Sequence, residues 1–363
     1  MKIISVVGAR PNFMKIAPIL RELKKYPTFQ SLLVHTGQHY DAKMSDVFFS
    51  DLQIPEPDIF LNVGSGSHAR QTAEVMTRFE DVLNKEKPDL VIVVGDVNST
   101  LACSVTAAKM NVKVAHVEAG LRSFDKTMPE EINRLVTDAL SDYLFTTEKS
   151  GNEHLVQEGK KPEQIFFTGN VMIDSLVFSQ DRIRVSNIVS QLQLDPQPYI
   201  VVTLHRPSNV DNPESLEKVI CILDELQKQV QVVFPIHPRS LKMIEQFGYK
   251  SKIGSMRQLK LTEPIGYIDF LSLMSRAKAV VSDSGGLQEE STYLGIPCLT
   301  MRENTERPVT IDVGTNTLVG LDEKKISDCM GSIMNGAYKK GTKPELWDGK
   351  AAERIVATLN TLG

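Results

Sequence analysis

Short, almost continuously apolar runs recur along this chain. They lie at residues 3–7, 31–36, 90–94, 114–117, 143–146 and 165–168, and again at 199–203, 230–235, 279–282 and 298–301. A strand that is apolar on nearly every residue needs cover on both faces, which is the condition of a parallel sheet sandwiched by helices. The intervals supply those helices. Phe13, Ile16, Ile19, Leu20 and Leu23 fall on one helical face, and further helical patterns lie around 69–84, from Ser99, and near 132–139. The alternation predicts an α/β chain of Rossmann-like, doubly wound parallel sheets.

The alternation breaks once, after residue 168. Residues 174–198 are helical in pattern but polar, and they end in Asp195-Pro196-Gln197-Pro198, a linker or entry turn. Strands then resume at 199. We therefore expect two domains, 1–168 and 169–348, with a last helix at 349–363 packing back on the first. A chain of 363 residues is long enough for two cores. Such domains bind ligands beyond the carboxyl ends of their strands, in the cleft between them.

Composition narrows the partners. The formal net charge of −4 lacks the basic excess of a nucleic-acid surface. Cys103, Cys221, Cys298 and Cys329 are scattered, with no spacing that suits a metal, and Cys298 reads as core filler. The first residues read as a strand and not a signal peptide, and no run reaches the roughly 18–20 apolar residues of a membrane helix. The expectation is a cytoplasmic protein with no metal site, no nucleic acid and no membrane partner.

Two strand–turn–helix segments are suited to phosphate. Ser282-Asp283-Ser284-Gly285-Gly286 follows one strand, and Gly8-Ala9-Arg10-Pro11, with Lys15 a turn later, follows another. Glycines let the backbone approach an anion, and a helix start offers free N–H groups and a positive dipole end. Arg307 adds a guanidinium. Two such sites far apart in sequence suggest two lobes closing on one diphosphate.

Polar clusters follow other strands. Asp96 stands in Gly95-Asp96-Val97-Asn98-Ser99, where Asn98 or Ser99 would cap the next helix. Glu118 stands in His116-Val117-Glu118-Ala119-Gly120-Leu121-Arg122, either in the site or as a structural partner of Arg122 or Arg134. Glu130 and Glu131 follow Pro129 at a helix start, and position alone does not say which of them faces the cleft. His205, in Leu204-His205-Arg206, can contact phosphate and donate a proton, and His237 is a weaker case of the same kind. Several carboxylates around one site raise some pKa values, which equips one as acid and another as base.

Together these segments resemble the non-hydrolysing UDP-N-acetylglucosamine 2-epimerases over essentially the whole chain. The likeness rests on Gly8-Ala9-Arg10-Pro11 with Lys15, Gly95-Asp96, residues 116–122, residues 129–134, Leu204-His205-Arg206, residues 282–290 and Glu306-Arg307-Pro308. The resemblance implies a GT-B-like pair of domains, a homodimer, and inversion at C2 of a UDP-sugar. The reaction would interconvert UDP-GlcNAc and UDP-ManNAc by eliminating UDP to 2-acetamidoglucal and adding it back, with no NAD and no required metal. By match to the family's motifs, Asp96, Glu118 and Glu130 are the acid/base carboxylates, and Lys15 is an active-site residue. His205 assists UDP departure. Arg10, His205, Ser284, Gly285, Gly286, Glu290 and Arg307 bind UDP, with Glu290 on the ribose hydroxyls.

Some positions depart from the family. Ala9 and Asn12 replace Thr and Glu of many members. Gln38-His39-Tyr40-Asp41 replaces a Gln-His-Arg that belongs to a regulatory UDP-GlcNAc site; Asp41 would repel a diphosphate there, so we expect no strong activation by substrate. The competing readings are a hydrolysing epimerase, a GT-B glycosyltransferase, a non-catalytic nucleotide-sugar sensor, and an epimerase of UDP-2,3-diacetamido-glucuronate. The last would need a cation for the C6 carboxylate, such as Lys43, Arg70, Arg122 or Arg302.

Overall fold

Every residue of Leu90–Val94 is buried, as its unbroken apolar sequence requires, and this strand lies at the middle of the first sheet. The computed structural model describes residues 1–37 and 52–362, apart from the Arg10 side chain. Residues 38–41 and Lys43, which carry the regulatory expectation and one candidate cation, lie outside the described residues. Two compact units result. The first comprises Met1–Phe178 and Glu345–Gly363, and the second Ser179–Pro344.

Among the described residues, the first unit holds seven parallel strands. They are β1 (Lys2–Val7), β2 (Gln30–His35), β3 (Ile59–Phe60), β4 (Leu90–Val94), β5 (Lys113–Ala119), β6 (Tyr143–Thr146) and β7 (Ile165–Phe167), in the order β3-β2-β1-β4-β5-β6-β7. The second unit holds β8 (Tyr199–Thr203), β9 (Gln231–Pro235), β10 (Leu259–Thr262), β11 (Val280–Ser282), β12 (Cys298–Thr300) and β13 (Asn316–Leu318), in the order β10-β9-β8-β11-β12-β13. Both sheets are doubly wound, and the winding reverses between β1 and β4 and between β8 and β11. A reversal of this kind leaves a crevice at the carboxyl ends of the two strands. The chain leaves these four strands through Gly8-Ala9, Gly95-Asp96, Leu204-His205 and Asp283-Ser284, all segments singled out from sequence.

The apolar pattern places the central strands well and misses three at the margins. β3, β10 and β13 are short and partly exposed, so they carry no continuous apolar run. The helix Val171–Phe178 packs on the helix Arg10–Leu23, which keeps it with the first unit. The helix Ala351–Leu362 packs on both. Trp347, fully enclosed, donates its indole N–H to the Thr147 carbonyl at 3.0 Å.

Asp174 caps this last helix, accepting from the Ala351 N–H at 3.1 Å and the Ala352 N–H at 2.7 Å. Burial pushes its carboxyl up to about 6, despite these two donors. The folded chain therefore holds a proton there that the unfolded chain has released, between about pH 4 and about pH 6. Stability from this group is present at low pH and is lost as pH rises through that window, by roughly 2–3 kcal/mol at most. We expect Asp174→Asn to gain stability relative to the wild type as pH rises from about 4.5 to about 7. Chemical denaturation of both proteins at the two pH values measures it, and a constant difference between them would refute the assignment.

Candidate functional site

The turn after β1 is built by Asn12. Its Oδ1 accepts from the Gly8 and Ala9 N–H groups at 3.3 and 3.1 Å, and its Nδ2 donates to the Val94 carbonyl at 2.8 Å. A neutral amide can bridge a donor pair and an acceptor in this way, and a carboxylate cannot. Arg10 heads the helix that follows. One turn on, Lys15 reaches β5 and forms an ion pair with Glu118, with both side chains almost wholly enclosed. The sequence had offered Arg122 or Arg134 as the partner of Glu118; the structure places Lys15 there instead.

Glu118 has φ +76°, in the left-handed region, and the pairing of β5 with β6 shifts register between Val117 and Ala119. A non-glycine residue held at such a φ costs on the order of 1–3 kcal/mol, and such strain gathers at functional sites. The bulge turns the Glu118 carboxylate away from the regular strand alternation. Gly95, the next residue after β4, also has positive φ, and a Cβ there would stand 2.8 Å from Lys15 Nζ. Only glycine permits both the turn and the close approach of the ammonium.

Asp96 is held from the helix Pro129–Leu140. Its Oδ2 accepts from Arg134 Nη1 at 2.5 Å, and its carbonyl accepts from Asn133 Nδ2 at 2.8 Å. The same helix separates the two glutamates. Glu131 is buried and spends its carboxylate on Arg134 and on the Ser123 and Phe124 N–H groups, which hold it below the usual range in spite of burial. Glu130 is partly exposed and has no hydrogen bond or ion pair among the described residues. The expected helix cap is not made. Val97 occupies the cap position, the Asn98 side chain engages His68 and Gln71, and Ser99 Oγ meets Thr36 Oγ1 at 2.7 Å.

In the second unit Asp283, fully buried, organises the turn after β8. It accepts from the His205 and Arg206 N–H groups, from Asn209 Nδ2 at 3.1 Å and from His205 Nδ1 at 3.0 Å. Burial would raise this carboxyl, but His205 and the two backbone donors lower it overall. An ionised partner at Nδ1 leaves Nε2 of the half-exposed His205 ring as the nitrogen that can meet a ligand.

Ser284 precedes the helix Gly285–Leu294 and its side chain accepts no capping hydrogen bond from the first turn, so the N–H groups of the helix start remain open to an acceptor. A Cβ on Gly285 would stand 2.8 Å from Glu306 Oε1 and 2.9 Å from Arg307 Nη1. Arg307 is itself buried between carboxylates, with Nε 2.6 Å from Glu289 Oε1 and Nη1 on Glu306. Glu290 is buried on the same helix, and its carboxyl is pushed up to about 8 by burial and by the neighbouring Glu289, against a hydrogen bond with Tyr267.

The fold thus brings Lys15, Asp96 and Glu118 to strand ends at or beside the first reversal point, and His205, Ser284, Gly285, Gly286, Glu290 and Arg307 to the turns and helix at the second, while no contact among the described residues joins Glu130 to either group. Asn12, Arg134, Asp283, Glu289 and Glu306 were not assigned from sequence. Asp283 had a signal, a carboxylate directly after an apolar strand, but the neighbouring glycines drew the reading. Arg134 and Glu289 meet Asp96 and Arg307 from distant segments, whereas Asn12 and Glu306 bind within their own turns, where a polar residue is ordinary.

A family model described as UDP-N-acetylglucosamine 2-epimerase matches residues 21–360. A Methanococcus maripaludis UDP-N-acetylglucosamine 2-epimerase homolog is 45% identical, with 100% of each chain covered. The UDP-2,3-diacetamido-2,3-dideoxy-D-glucuronate 2-epimerase of Pseudomonas aeruginosa is 42% identical over 88% of each chain. The crystal structure of Methanocaldococcus jannaschii UDP-GlcNAc 2-epimerase, in complex with UDP-GlcNAc and UDP, superposes with a TM-score of 0.93 at 40% identity, covering 100% of both chains. With two Rossmann-like units in a GT-B-like architecture and a match over nearly its full length, the chain belongs to the UDP-N-acetylglucosamine 2-epimerase family.

Proposed function

We propose that this chain is a non-hydrolysing epimerase interconverting UDP-GlcNAc and UDP-ManNAc. The observation that carries the reading is the pair of carboxylates, Asp96 and Glu118, at the carboxyl ends of adjacent strands, each held by a cation. The C2 proton of a sugar has no neighbouring carbonyl and is a poor acid. Breaking the C1–O bond first makes C1 electron-poor, and a carboxylate can then take the C2 proton, giving UDP and 2-acetamidoglucal. Returning a proton to the opposite face of C2 while UDP re-adds at C1 inverts the centre. Glu118, Asp96 and Glu130 are the groups proposed for these transfers, with Lys15 holding Glu118. Arg10, His205, Arg307 and the helix start at Ser284-Gly285-Gly286 would stabilise the departing diphosphate. Glu290 would accept from the ribose hydroxyls.

The relative from Pseudomonas acts on a sugar with a C6 carboxylate, which calls for a cation. Arg122 is committed to Asp138 at 2.8 Å and to both oxygens of Glu158, and Arg302 to Glu306 at 2.8 Å. Two of the four candidate cations are thus already neutralised, which favours a substrate uncharged at C6. No helix among the described residues is long and apolar enough to cross a membrane. We propose a cytoplasmic homodimer, checked by sedimentation.

Proton NMR of the pure protein with UDP-GlcNAc in D₂O, without added cofactor, tests the reaction. UDP-ManNAc signals should grow as deuterium enters C2. Free ManNAc with UDP would instead mark a hydrolysing enzyme. Unchanged spectra, with turnover of UDP-2,3-diacetamido-glucuronate, would move the substrate.

A further inference from the structure

His116 is fully buried in β5, paired in register with Val93 of β4. Its Nε2 lies 2.8 Å from the Gly95 carbonyl oxygen and its Nδ1 2.6 Å from Asp138 Oδ1. A carbonyl oxygen only accepts, so Nε2 carries a proton. Asp138, also fully buried, has its second oxygen occupied by the Gly120 N–H at 3.0 Å and by Arg122 at 2.8 Å. Burial alone would raise Asp138, yet His116, Arg122 and the Gly120 donor lower it overall. Asp138 Oδ1 engages Nδ1 and the Gly95 carbonyl engages Nε2, so both ring nitrogens are spent inside the fold and neither is left to meet a substrate.

The two ends of this pair reach the two turns that matter. Gly95 directly precedes Asp96, and Gly120 lies two residues beyond the strained Glu118. We propose that His116 and Asp138 are positioning residues that tie the Asp96 turn to the Glu118 turn, so that their loss falls on turnover and not on UDP affinity. The proposal rests on the roles given above to Asp96 and Glu118. Misplacing reacting groups by about 1 Å can cost on the order of 10²-fold in rate.

The whole chain is used for the test, and wild-type turnover of UDP-GlcNAc is measured alongside. Its absence would overturn the proposed function, whereas effects confined to the variants bear on the pair. His116→Leu removes both hydrogen bonds and should lower kcat about 10²-fold. His116→Gln keeps a donor able to reach Gly95 and should recover part of that loss. Asp138→Asn should lower kcat, with KM and the UDP dissociation constant within about twofold of wild type throughout. Variants that melt earlier but keep wild-type kcat would show a purely structural role and overturn the proposal. Histidine-selective ¹⁵N NMR of the wild-type protein at neutral pH gives a readout independent of variant folding. A histidine ring with both nitrogens in hydrogen bonds, absent from His116→Gln and altered in Asp138→Asn, is the expected signature. A His116 ring with either nitrogen free of a hydrogen bond would overturn the pairing.

Discussion

Glu118→Gln is expected to lower epimerase turnover by roughly 10²–10⁴-fold, the usual effect of removing an acid or base at a reacting carbon. The amide keeps the size of the side chain and can follow the same backbone path at φ +76°, so the bulge in β5 should survive. What disappears is the negative charge. Lys15 then keeps its ammonium in an enclosed position without the carboxylate that faces it in the wild type. Breaking a buried pair from one side costs about 3–5 kcal/mol, so the variant should also melt earlier.

The two losses separate in the double variant Lys15→Met, Glu118→Gln. Methionine fills the lysine stem's volume with no charge, and exchanging both members of a buried pair is often close to neutral. Thermal stability should therefore return while turnover stays at the single-variant level. Return of activity along with stability would mean that Glu118 serves the fold and that the chemistry lies elsewhere. UDP binding, read by calorimetry, should be unaffected in both variants, because the groups proposed to hold UDP beyond Arg10 lie in the other unit.

The contrast between Glu118 and Lys15 also shows what was legible. Glu118 stood out because a carboxylate directly after an apolar strand has few structural uses. Its partner did not, because Lys15 is a single cation on an amphipathic helix, where lysines are ordinary. Parallel pairing brings the two together, and no local pattern encodes which helix residue meets which strand end. The same limit applied to the two glutamates after Pro129. Both suit the first turn of a helix, and only the side of the helix facing Ser123 and Arg134 distinguishes Glu131 from Glu130. The central strands were legible because burial on two faces demands apolar residues throughout, and the reversal points followed from where the polar turns fell. Edge strands such as β3 and β13 are covered less and so are written less plainly. The helix-cap reading of Asn98 and Ser99 failed for a related reason: neighbouring elements offered their side chains His68, Gln71 and Thr36 as competing partners.

In the second unit the largest effect is expected from Arg307→Met. The guanidinium is buried between Glu289 and Glu306, beside Gly285 at the start of the helix Gly285–Leu294. Glu306 would retain Arg302, but Glu289 would lose the cation that faces it at 2.6 Å. Next to it, Glu290 is already pushed up to about 8 by burial and by Glu289, so the region tolerates little further negative charge. A loss of about 3–5 kcal/mol is expected for such a removal, which for a unit of this size lowers its melting transition by about 10 °C or more. UDP affinity should fall about 10²-fold or more, as expected when a desolvated cation facing a diphosphate is removed. Arg307→Lys keeps the charge without the planar fork and should fall between. Adding Glu289→Gln to Arg307→Met removes the charge that Arg307 faces, so the melting transition should recover while UDP affinity does not. If affinity recovered together with stability, Arg307 would be a structural counter-ion and the diphosphate would have to be held by the helix start and His205.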